Sequence, residues 1–384
     1  MTAFPATERP RCVLLTTDFE RGGAAVLITL LARHLGTLGW KVHAVSIAPP
    51  GAMTACAATA AAQVHTLDTT KKAQWPRALG RLNRLLGRLR PAVLQGVLVH
   101  ANVLAAVAGR VADVPVVCTE ICTAEHGERW HVSLEHLAGR LADRVICNSA
   151  SVHAFHSEHG LPAEQAVVIN HGVDLEQYRP GLCGADDLGP RPSKAGPCRV
   201  CFAGRLEAVK GVDVLAAAWR QVQRAVPGAE LLVAGSGRCA GELAGLPGVR
   251  MLGWRTDLAR VYASCTVGVF PSRWEGFGLA AAEAMACGLA CVLTRVSGLA
   301  DLAEHGQSGW YVDPEDAAGL AAALIGLLND GKLRRWLGAA AAERVRHCFD
   351  ARRMARQHDL LYRSLLAEKA YGRSAEAGGW QRPG

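Results

Sequence analysis

Four side chains are of types that could share one piece of chemistry: Arg205, Lys210, Glu275 and Glu283. Glu275 stands in a polar turn, PSRWEGFG, after an apolar run that ends at Phe270. Glu283 follows with seven residues between, inside the helix-forming run LAAAEAMACG that Gly288 closes. A helix starting near Leu279 puts Glu283 about one turn in. Its first turn would offer free N–H groups and a partial positive charge, both of which favour phosphate. Carboxylates accept hydrogen bonds from hydroxyls. In CFAGRLEAVKG, Arg205 follows an apolar run by one glycine, and Lys210 lies five residues on. Arginine grips phosphate oxygens with a planar fork and lysine adds a point charge. Two such cations at a loop entering a helix would neutralise charge on a departing nucleoside diphosphate. Hydroxyl acceptors beside a diphosphate clamp suit a sugar carried on a nucleoside diphosphate. Taken singly, each pair is an ordinary surface pair; the conjunction gives them meaning.

Such residues need elements to position them. Pro271 to Asp301, with the apolar runs on either side, reads strand, loop, helix, strand. That is the unit of a parallel sheet covered by helices, in which ligands sit outside the carboxyl ends of the strands. The same alternation runs along the chain. RCVLL is a strand, then Gly22-Gly23 opens an amphipathic helix bearing Leu27, Leu30, Leu31 and Leu35. A strand follows from Trp40, and PAVLQGVLVH is another with His100 at its end. VPVVCTE, ADRVICNSA and AVVINHGVD complete the first half. The Pro- and Gly-rich segment RPGLCGADDLGPRPSKAGPC reads as a linker. Beyond it, RVCFAGR, ELLVAGSGR and GVRMLGW repeat the strand-then-turn style, with Gly235-Ser236-Gly237 at one strand end. The expected organisation is a first Rossmann-like domain over 1–180, a linker over 181–198 and a second such domain over 199–349. A helix over 350–370 and a disordered tail over 371–384 complete it.

Composition narrows the class. The chain has 384 residues, half of them apolar, and a net charge of +8, which suits a globular protein with acidic small-molecule ligands. No secretory signal and no membrane-length apolar run is seen, which points to the cytoplasm. The 13 cysteines lie scattered in apolar segments and read as reduced thiols; Cys198 and Cys201 have no second pair at zinc spacing. Neither G-x-G-x-x-G after the first strand nor G-x-x-x-x-G-K-[ST] occurs, which argues against a dehydrogenase or a P-loop enzyme. No Asp-x-Asp follows an apolar strand, so the cations stand where a metal would. Residues 71–90 hold seven basic side chains and no acidic one. Trp75, Leu79, Leu82, Leu86 and Leu89 form one stripe of this stretch; Arg77, Arg81, Arg84 and Arg88 form another. It reads either as a sheet-covering helix with a solvated basic back or as a contact with an anionic membrane. Nucleic acid is not indicated, because no recognition motif surrounds the run.

Five ordered strings, GRLEAVKG, LVAGSGR, RMLGW, FPSRWEGFGLAAAEAMACG and SGLADLAEHGQSGWYVDPED, resemble the glycosyltransferase family 4 (group 1) enzymes. The first half adds GG before a helix, VLVH, ADRVICNSA and INHGVD. The resemblance implies two Rossmann-like domains facing a cleft, the GT-B type, with a C-terminal helix crossing back to the first. It implies a retaining transfer from an NDP-sugar, UDP- or GDP-linked, to a hydroxyl acceptor, with no metal and no further cofactor. On that resemblance Arg205 and Lys210 are the diphosphate clamp, Glu283 takes the ribose hydroxyls and Glu275 the donor sugar. Gly276, Phe277, Gly278 and Leu279 line the donor with backbone, and Gly204, Gly235 and Trp254 come with the matching strings. Gly23 is the glycine that lets the first domain approach the phosphate. Many members carry a histidine directly after the strand matching VPVVCTE. Here Glu120 and Ile121 stand there: either His126 takes that role or the role is absent. His100 and Glu120 are the acceptor-side candidates. An epimerase, a sugar-phosphate synthase or a non-catalytic transferase partner on the same fold stay as alternatives.

Overall fold

The computed structural model describes residues 9–122, 129–188 and 198–377. Seven strands form the first sheet: β1 (Arg11–Thr16), β2 (Lys41–Ser46), β3 (Gln63–Thr66), β4 (Val93–Val97), β5 (Val116–Ile121), β6 (Arg144–Cys147) and β7 (Ala166–Val168). Six form the second: β8 (Arg199–Ala203), β9 (Glu230–Ala234), β10 (Val249–Gly253), β11 (Val267–Phe270), β12 (Ala290–Thr294) and β13 (Trp310–Val312). Their orders are β3-β2-β1-β4-β5-β6-β7 and β10-β9-β8-β11-β12-β13, all pairs parallel. Strands such as β11 and β12 are buried at every position, so their sequences read as near-continuous apolar runs rather than alternating ones. In each sheet the order reverses once, between β1 and β4 and between β8 and β11. A crevice opens at such a point, at the carboxyl ends of the strands.

The two halves are tied by the end of the chain. The helix Ala351–Ala377 crosses from the second half and packs on the helix Gly23–Thr37 of the first. Its Met354, Ala355, Tyr362 and Leu365 are buried in the first core. The Trp40 ring meets Tyr362 edge-on at 5.6 Å and its Nε1 donates to Asp359 at 2.7 Å. This helix runs past the expected limit of 370, so 371–377, expected as tail, is helical. Arg373 to Ala377 are mostly good helix formers, and two glycines follow only afterwards. The rest of the expected tail, 378–384, lies outside the described residues, as do 189–197 of the expected linker. The start of that linker is built into the second half: Ala185 and Leu188 are buried in its core, and the Ala185 N–H donates to Arg260 and Ser264.

Among the elements not foreseen are the helix Thr54–Ala60 and β3, in an Ala-rich stretch with little periodicity, and the helices Arg129–Leu141, Ala150–Glu158 and Leu258–Ala263. His100 is not at a strand end. The backbone turns at Leu98 (φ 76°) and His100 falls in the first turn of the helix Val99–Val111. The helix Trp75–Leu89 buries Ala78, Leu82, Leu85 and Leu86 against Val13, Leu15 and Leu94, leaving Arg77, Arg81, Arg84 and Arg88 exposed. Most of its apolar stripe is thus taken up by the core. Among the described residues, no helix is long and apolar enough to cross a membrane.

Candidate active site

The loops leaving β8 and β11 meet at the switch point of the second sheet. Lys210 ends a short 3-10 turn after β8 and donates through Nζ to Glu275 Oε1, in the loop after β11. Ser272 Oγ donates to the same oxygen at 3.0 Å, and both partners of the ion pair keep 17% of their side chains exposed. The pair is therefore held in place yet open to the crevice. Arg205 is exposed in the loop after β8. The β9 loop completes the wall. A Cβ on Gly235, which adopts φ +153°, would stand 1.9 Å from the Gly204 carbonyl oxygen, so only glycine lets these loops touch.

Gly278 (φ 89°) precedes the helix Leu279–Ala286, and no side chain caps that helix. The helix Gly23–Thr37, leaving β1 across the crevice, is likewise uncapped by any side chain. By contrast Asp316 and Asp330 cap later helices with their carboxylates. The uncapped starts leave backbone donors for a ligand. Phe277 is buried, its ring 5.5 Å from His171 of the first half and 5.4 Å from Phe349. Trp254 is 41% exposed, with the Arg21 guanidinium 4.8 Å from its ring centre, a cation–π contact across the crevice. Ser151 N–H and Oγ both donate to Asp301 at 3.0 Å, a further link between the halves.

Glu283 is 6% exposed. Burial pushes its carboxyl up to about 8, against a smaller opposing hydrogen bond from Tyr178. The folded state thus holds a proton that the unfolded chain releases in the ordinary carboxyl range. Stability contributed by the protonated form is complete at low pH and is lost as pH rises toward 8, at most ~1.4 kcal/mol per unit. Glu283→Gln is expected to flatten part of the decline in unfolding free energy between roughly pH 4.5 and 8, read by urea titrations across pH. Glu135, also raised to about 8 by burial, keeps part of that slope.

Glu120, expected on the acceptor side, does not line the crevice. It is fully buried, accepting from Gln95 Nε2 at 2.6 Å and His171 Nε2 at 3.0 Å. Burial alone would raise its carboxyl, but hydrogen bonds and charge from His171 and His358 outweigh this and hold it at about 2. His100 instead lies in an aromatic group with Trp75, Trp130 and His131 at 5.6, 6.4 and 6.0 Å. His126 lies outside the described residues. The sequence reading missed Arg273, which clamps Asp213 at 2.8 Å and Glu315 at 2.6 Å to fix the Glu275 loop. It also missed Arg21 and Tyr178. Only Arg273, inside the singled-out stretch, left any sequence signal.

Two doubly wound domains closing their switch points on one crevice define the GT-B class of fold. The Anabaena HepE structure in complex with UDP and glucose superposes with TM-score 0.80 at 21% identity, over 92% of this chain and all of that one. Sucrose-phosphate synthase from Thermosynechococcus elongatus gives 0.76 at 21%, over 93% of this chain and all of that one. Residues 21–177 match the model of Glycosyltransferase Family 4 and residues 197–330 that of Glycosyl transferases group 1; the chain belongs to this family. Glycogen synthase of Mycobacterium tuberculosis is 31% identical over 62% of this chain and 60% of its own length. D-inositol 3-phosphate glycosyltransferase of Mycobacterium ulcerans is 35% identical over 53% and 46%. The chain thus spans about half the length of the curated relatives it matches.

Proposed function

We propose that the chain is a retaining glycosyltransferase that moves a sugar from a UDP- or GDP-linked donor to a hydroxyl acceptor. The observation that carries this is the Lys210–Glu275 pair, poised beside the uncapped helix start at Leu279. Arg205, Lys210 and the backbone N–H groups of the helix start take the diphosphate, and Glu283 takes the ribose hydroxyls. Lys210 then turns from the carboxylate to the phosphate, freeing Glu275 for hydroxyls of the donor sugar. Charge growing on the leaving diphosphate is met by cations already in place, so the reaction needs no metal. The acceptor enters from the first domain, attacks the face the diphosphate leaves, and passes its proton to a phosphate oxygen. A HepE structure holds UDP and glucose, and the sucrose-phosphate synthase neighbour acts on sugars by its name, which supports a sugar-nucleotide reading. Such a donor and a set of free thiols fit the cytoplasm. Contact of the basic 71–90 helix with an anionic membrane, if made, is electrostatic, since its apolar stripe faces the core.

The test is a thermal-shift series with UDP, GDP, ADP and their sugars, followed by NMR of the anomeric proton in the product. One uridine or guanosine donor should raise the melting temperature by several degrees at saturating ligand. The product should keep the donor's anomeric configuration. An inverted product would remove the retaining assignment, and isomerised donor without acceptor would favour an epimerase.

A further inference from the structure

Behind the Glu275 loop lies a cluster that the transfer reaction does not use. Glu120 is the fifth residue of β5, Cys122 follows the strand directly, and His171 comes from the segment after β7. One ligand atom of each lies within 4.8 Å of the other two. His171 Nε2 is 3.0 Å from Glu120 Oε1 and 3.9 Å from Cys122 Sγ. A tetrahedral zinc ion with ordinary bond lengths sets such atoms roughly 3.3–3.6 Å apart, between these two values.

A second observation, from another element, points to a cation. His358 of the crossing helix is fully buried, and its Nδ1 lies 3.0 Å from the Met354 carbonyl oxygen. A carbonyl only accepts, so Nδ1 carries the hydrogen and Nε2 is the ring atom turned toward the cluster. Among the described residues, that Nε2 has no hydrogen-bond partner, and it faces Glu120 Oε2 at 3.8 Å, too far for a hydrogen bond. A buried polar atom without a hydrogen-bond partner is costly, and here it is aimed at the same cluster. Asn148 adds another such acceptor: its Nδ2 donates to the Cys122 carbonyl at 3.4 Å, while its buried Oδ1 has no partner among the described residues.

We propose that Glu120, Cys122 and His171 bind one thiophilic divalent cation of the Zn²⁺ type, and that its binding restrains the adjoining catalytic loop. Thiolate, imidazole and carboxylate together suit zinc and disfavour magnesium or calcium. On binding, the Cys122 thiol proton leaves to solvent, and the His171 hydrogen moves to Nδ1. The restraint follows from contact. The Cys122 carbonyl sits against Gly276, and the His171 ring against Phe277, the two residues after Glu275. Fixing Cys122 and His171 to one ion removes the freedom that Glu275 needs when Lys210 turns to the donor. This restraint rests on the proposed transfer reaction; the binding does not.

The experiment adds ZnCl₂ to full-length protein stripped with EDTA, then measures retained zinc by mass spectrometry after desalting and affinity by calorimetry. Cys56, Cys183 and Cys348 are exposed thiols, so the background carries serine at all three. One zinc per chain is expected, with magnesium giving none. Cys122→Ser and His171→Gln each remove a direct ligand and should weaken binding by more than the roughly 10-fold that loss of an outer-shell partner costs. Absence of retained zinc, or an affinity in both variants unchanged from that of the background protein, overturns the site. Zinc should also slow turnover of the background protein and not of its Cys122→Ser form, given equal melting temperatures of the stripped proteins. Bound zinc without inhibition overturns the restraint and leaves the transfer assignment standing.

Discussion

Lys210→Ala is expected to lower turnover by roughly two to three orders of magnitude, the usual effect of removing one donor aimed at developing charge. The loss should fall mainly on kcat, because the leaving diphosphate gains charge as the bond breaks. Glu275→Ala is expected to cost as much for a different reason, since it removes a partner of the donor sugar. The two side chains also hold each other, so the effects should not add. The double variant should resemble either single one, as for groups that act as a unit. Stability should separate the variants. With only 17% of each side chain exposed, removing one partner leaves a largely buried charge unpaired, so each single variant should melt lower than the double one. Single-turnover rates with the donor found by thermal shift, alongside melting curves, check both statements. Near-normal turnover in all three variants would remove this pair from the reaction.

The stretch around Glu275 was legible because each part has a local cause. β11 is a short buried run, the loop is polar and ends in glycine, and Leu279–Ala286 is alanine-rich. What the stretch touches was not legible. Lys210 is 65 residues from Glu275, and nothing at either position specifies that they meet. Glu120 shows the opposite error. At a strand end it reads as a cleft residue, yet Gln95 from the neighbouring strand and His358, 238 positions on, close over it. The Trp254–Arg21 contact likewise exists only once two domains face each other. Sequence periodicity reports the surroundings within one element; partners supplied by sheet order and by the crossing helix leave no local trace.

A close approach between the domains, at Gly276, gives a direct test of that arrangement. A Cβ on Gly276 would stand 1.7 Å from the Cys122 carbonyl oxygen, 2.8 Å from its carbon and 3.1 Å from Asn148 Nδ2. Two of these atoms are backbone at the end of a buried strand, so no rotamer change relieves the clash. Gly276→Ala should therefore push the two halves apart instead of unfolding either, because its conflict is with the other domain. A displacement near 1 Å at the reacting groups is enough to cost about 100-fold in rate. The expected result is that loss or more in turnover, a larger radius of gyration by X-ray scattering, and little change in melting temperature. Gly241→Ala is the control, since a Cβ there meets nothing within 4 Å. If Gly276→Ala turns over normally, the crevice does not need to close to this distance, and Glu275 must reach the donor from a more open form.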